Sequence, residues 1–97
     1  MSVREEILEA IRRKRPLRVI REGHERLMCP YRIGWSNKGD YNLIAYQFGG
    51  YSETGLAPDG SSENWRCYRV DSFGIAEMIP GPWHDHWSSR RPEDTAL

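Results

Sequence analysis

The chain has 97 residues, in which 14 Lys and Arg balance 14 Asp and Glu, so it supports one hydrophobic core and carries no net field that would draw it to nucleic acid or an anionic membrane. Apolar residues make up 38% and charged ones 29%, the balance of a folded globule rather than a disordered tail. No apolar run approaches the roughly 20 residues that span a bilayer, no apolar leader opens the chain, and the only cysteines are Cys29 and Cys67. The expected setting is the cytoplasm, with both cysteines as buried thiols.

Ser2 followed by Glu5 fits a capping box, and Val3, Ile7, Leu8, Ala10 and Ile11 recur at helical spacing, predicting a helix over Ser2 to Lys14 that buries Val3, Ile7, Leu8 and Ile11 on a sheet. Pro16 stops it. Arg12, Arg13, Lys14, Arg15, Arg18 and Arg21 give this quarter a positive excess, partly offset by Glu5, Glu6, Glu9 and Glu22. A first strand covers Leu17 to Arg21, and a turn at Glu22-Gly23-His24-Glu25 leads to a second strand from Arg26 to Trp35. Pro30 marks an edge, a bulge or a bend there, because it has no amide to give a ladder. The turn Asn37-Lys38-Gly39-Asp40 precedes a third strand over Tyr41 to Phe48.

Residues Gly49 to Glu63, rich in Gly, Ser, Pro and Asp, describe a long surface loop. Asn64 to Asp71 alternates as a fourth strand, and Phe73 to Ile79 forms a fifth, interrupted by Gly74. Pro80-Gly81-Pro82 closes a domain of residues 1–80, leaving 81–97 as a tail unless its tryptophans dock. The fold class expected is mainly β (α+β): an N-terminal helix followed by a five-stranded small barrel, since curling a short antiparallel sheet removes its exposed edges.

Four segments in order, Ala10-Ile11 with its basic flank, Arg26 to Ile33, Gly39 to Tyr46 and Arg66 to Asp71, resemble the WYL domain, a bacterial ligand-sensing module with an Sm-like, SH3-type barrel. The resemblance covers roughly residues 7–79. The family's name-giving triplet falls on Tyr41, Asn42 and Leu43, where only the leucine matches literally. Arg66 and Arg69 stand where the family carries basic residues, and Ser72 stands where it usually continues with another arginine. Family members usually carry a helix-turn-helix that contacts DNA; one helix is too little for that motif, so the resemblance implies the sensing module alone or a diverged relative.

Arg26, Arg32, Arg66 and Arg69 lie on expected strands, with Arg66 sharing a face with Tyr68 while Arg69 points the other way with Cys67. The functional reading is a recessed basic and aromatic patch, with Arg66 and Arg69 holding phosphate and Tyr31 and Tyr41, or Trp35, stacking on bases. The bland alternative is a solvated outer face. Trp83-His84-Asp85-His86-Trp87 places two imidazoles around a carboxylate, too few ligands for a metal site by themselves. Nucleophile elbows and phosphate-binding glycine loops are missing. The function expected is a non-catalytic, cofactor-free module for a nucleotide or single-stranded nucleic acid; the alternative is a protein-interaction or homo-oligomerisation module that uses barrel edges and the helix face.

Overall fold

A computed structural model describes residues 2–84: one helix, α1 (Val3–Arg13), followed by β1 (Leu17–Arg21), β2 (His24–Trp35), β3 (Tyr41–Gly50), β4 (Trp65–Arg69) and β5 (Phe73–Met78), with single 3-10 turns at Ser62–Asn64 and Val70–Ser72. Ser2 caps α1 through a complete capping box with Glu5. The helix ends as Lys14 turns left-handed. Its inner side buries Ile7 and Ala10, with Val3 and Ile11 half-buried. Leu8, expected inside, is 44% exposed: the side of a helix that touches a curved sheet is narrower than the full apolar set, and Leu8 falls on its flank.

The strands make one antiparallel sheet in the order β4-β3-β2-β1-β5. The β1–β2 hairpin is tighter than the sequence suggested. Glu22 (φ 54) and Gly23 (φ 78) alone make the turn, both in the left-handed region, and this is the two-residue geometry whose twist matches that of paired strands. Ladder pairing in β2 shifts between Pro30 and Arg32. A proline in a central strand has no amide to donate, so the strand bulges there, and the bulge bends it.

The bend rolls the sheet around Leu17, Val19, Met28, Leu43, Ala45, Tyr68, Val70 and Phe73, onto which α1 docks Ile7 and Ala10. Met78 N–H donates to the Glu6 carboxylate at 3.0 Å, tying α1 to β5. The sheet is not closed. β4 and β5 are its two edges, and no ladder joins them. The single 3-10 turn between them brings their inner side chains together, with Tyr68 and Phe73 ring centroids 5.6 Å apart, while the two backbones stay unpaired.

β3 is buried continuously from Asn42 to Gln47, because both of its faces are covered. Its outer face carries Ile44 and Tyr46 beside Cys29, and over it lie the 51–64 segment and the strap Trp83-His84. Tyr31 packs on Trp65 and Trp83 (centroids 4.7 and 5.0 Å), and His84 stacks on Phe48 at 3.9 Å. His84 N–H donates to Cys29 Sγ at 3.4 Å, and its carbonyl accepts from the Tyr31 hydroxyl at 2.8 Å. Among the described residues the packing thus includes Trp83 and His84. Asp85, His86 and Trp87 of the tail motif lie outside the described residues.

Candidate functional site

The two ends of the rolled sheet differ in chemistry. At the end near the helix N-terminus, an open cleft of about 310 Å³ is lined by Arg4, Trp35, Tyr41 and Arg69 together with Gly39, Asp40, Val70 and Asp71. β2 and β3 place Trp35 opposite Tyr41, ring centroids 4.9 Å apart. The turn between them is held by Ser36, whose hydroxyl accepts from the backbone N–H of Lys38 and of Asp40. Arg4 lies over the Tyr41 ring at 4.6 Å, a cation–π contact from the first turn of α1. Arg69 ends β4 across the same opening, 62% exposed, with Nη2 3.4 Å from Asp71 and 3.8 Å from Asp40.

Of the four residues expected to bind ligand, this cleft gathers Tyr41 and Arg69. Arg66 does not join them. It pairs opposite Ala45 on the inner face, whereas Arg69 pairs opposite Asn42, and strand alternation separates the two. Arg66 donates to the backbone carbonyls of Glu63 and Trp65 and reaches the Ser52 hydroxyl at 3.4 Å, so it fastens the 51–64 segment to β4. Tyr31 is separate again, its ring held in the outer aromatic cluster between Trp65 and Trp83. Arg4 was missed by sequence reasoning. On a helical wheel it is one more polar residue, and only docking of α1 puts it over Tyr41.

At the opposite end the inner face turns polar. Gln47 is fully buried; its side-chain amide donates to the carbonyls of Gly49 and Tyr51 (3.0 and 2.7 Å), and its oxygen accepts from the Tyr68 hydroxyl at 2.7 Å. Burial pushes the Tyr68 phenol above its ordinary range, and the nearby cations Arg26, Arg66 and Arg21 oppose that shift. Arg26, at 5% exposure, lies under Tyr51.

The expected loop over Gly49 to Glu63 is tied down at several points. The side-chain amide of Asn64 exchanges hydrogen bonds with the backbone of Ala57, and the Gly60 N–H donates to the Tyr46 hydroxyl. Burial of Cys29 raises its thiol to about 11. Cys67, expected buried as well, is exposed on edge strand β4, and both are free thiols. Among the described residues no three His, Cys, Asp or Glu gather as a metal would require, and no helix is long and apolar enough to cross a membrane. No family model matches the chain, and neither a curated protein nor a solved structure matches it.

Proposed function

We propose that the chain is a non-catalytic ligand-sensing module of WYL type, an SH3/Sm-like small barrel led by one helix, that binds a nucleotide or single-stranded nucleic acid in the Trp35–Tyr41 cleft. The observation that carries this reading is the convergence, in one open cleft, of two aromatic rings with two arginines from distant parts of the chain. Trp35 is 65% exposed, which leaves an indole face for a base; base–aromatic stacking of this kind is worth about 1–3 kcal/mol per base. Arg69 is held by two exposed carboxylates, weak partners in water, and exchanges them for phosphate when a ligand arrives. The barrel reading is supported by the strand order, by the short 3-10 turn between the two edges and by the inward contact of Tyr68 with Phe73.

Fluorescence anisotropy of a labelled oligonucleotide tests the proposal. Tyr41→Ala should weaken binding by roughly 1–3 kcal/mol, and Arg69→Gln should weaken it while reducing the salt slope by about one. Undiminished binding by the double variant ends the proposal. A second reading, self-association or strand addition, is favoured by the unpaired edge β5 with Ile75 49% exposed. Light scattering over a range of concentrations decides it: a monomer throughout removes self-association.

A further inference from the structure

Among the described residues, Arg26 is a buried guanidinium without an acid. It projects from β2 onto the inner face, opposite Val19 and Gly50, and among the described residues neither its Nε nor its Nη2 has a hydrogen-bond partner. Those two nitrogens share one edge of the guanidinium plane. Their N–H bonds run side by side, in the fork that takes two oxygens of a carboxylate or phosphate at once. The rings of Tyr51 and Tyr68, with centroids 5.3 and 5.7 Å from Cζ, attract the cation, and the Tyr68 hydroxyl oxygen lies close enough to interact with it, but neither fills the fork of Nε and Nη2.

The surroundings add positive charge instead of cancelling it. Arg21 lies over the same Tyr68 ring at 5.7 Å, with its Nε donating to the Ser72 hydroxyl at 2.9 Å and its Nη1 paired with the exposed Glu22, and Arg66 stands two residues before Tyr68 on the same face of β4. Gln47, the one neutral amide there, is committed to Tyr68 and to the Gly49 and Tyr51 carbonyls. A charge kept out of water without a counter-ion is strongly disfavoured, so a fold that retains one presents it to something.

We propose that Arg26 is the floor of a phosphate-binding recess, with Arg21 and Arg66 as flanking cations and the Tyr51 ring as its cover. Phosphate, tetrahedral and carrying between one and two negative charges at neutral pH, matches one fork plus further cations; a carboxylate neutralises only the fork. Entry requires one side chain to move. The Tyr51 backbone is pinned, its N–H donating to the Glu25 carbonyl at 2.7 Å and its own carbonyl accepting from Gln47, whereas its ring, 39% exposed, is stacked on exposed His24 and faces the Arg26 guanidinium. The recess is separate from the Trp35–Tyr41 cleft: Gln47 and Tyr41 mark opposite ends of the inner face of β3, about 20 Å apart at ~3.3 Å per residue.

Isotope-edited NMR of the arginine Nε–H signals on the full chain tests this, with inorganic phosphate titrated in place of chloride at constant ionic strength. The Arg26 signal, assigned by its disappearance in Arg26→Lys, should shift and saturate, and acetate at equal concentration should not reproduce the effect. Phosphate should raise the melting temperature of the wild type but not of Arg26→Met. A parallel titration with glycerol phosphate separates sources: tighter binding than inorganic phosphate assigns the recess to a phosphomonoester, and equal or weaker binding assigns it to free phosphate. An unmoved Arg26 signal, equal saturation by acetate, or the same thermal response in a folded Arg26→Met overturns the proposal. If that variant fails to fold, the wild-type titration decides alone.

Discussion

Gly50 sits where no other residue fits without rearrangement. Its φ is +80, and a Cβ there would lie 2.5 Å from the Glu25 carbonyl oxygen and 2.7 Å from the Arg26 Cα, both backbone atoms. Gly23 also has positive φ, but a Cβ on it meets nothing within 4 Å. Gly23→Ala should therefore cost only the left-handed penalty of roughly 1–2 kcal/mol. Gly50→Ala adds a backbone collision to it and should cost roughly 3 kcal/mol or more; urea denaturation of the two variants gives the comparison.

The cysteines make a second pair of opposites. Under native conditions at pH 8, iodoacetamide should label Cys67 and spare Cys29, which mass spectrometry of digested protein reads directly. Because the Cys29 thiol is raised from 9.0 to about 11, the fold holds that proton more tightly than the unfolded chain does. The associated stability is complete below pH 9 and is lost between pH 9 and about 11. Cys29→Ala should flatten this alkaline limb in denaturation measured across that range.

Among the elements, α1 matched its sequence signals almost residue for residue, since a capping box and a proline act over one turn of chain. Ser2→Ala removes the cap and should lower stability by about 1 kcal/mol, read from the urea midpoint at unchanged m-value. Strand ends were less legible. The fourth strand was expected through Asp71, yet the chain leaves the ladder at Arg69 and turns through Val70–Ser72, because Val70 has to swing back into the core and alternation alone does not announce that. The Trp83-His84 strap was open in the sequence, where it depended on whether the tryptophans dock. Trp83→Ala with His84→Ala should cost roughly 2–4 kcal/mol by opening the outer aromatic cluster and should make Cys29 alkylatable in the native protein. An unchanged Cys29 labelling rate would show that the strap does not cover the thiol.

On the scale of the whole molecule, the bend in β2 decides what the sheet can do. The single turn Val70–Ser72 holds the two edge strands together, with Tyr68 and Phe73 5.6 Å apart, and the bulge after Pro30 gives the sheet the bend this requires, leaving two ends, one open and aromatic, the other closed over Arg26. Composition, capping, turn residues and apolar alternation determined the helix, the five strands, their antiparallel succession and the opposite pointing of Arg66 and Arg69, since each of these is set by forces acting within a few residues. Which side chains meet was decided only by the tertiary structure. Arg4 reaches Tyr41, Tyr31 is enclosed by Trp65 and Trp83, Arg66 bonds the 51–64 segment, and Arg26 is left buried with its fork open, because strand order, roll and covering segments bring together residues whose separation along the chain carries no local signal.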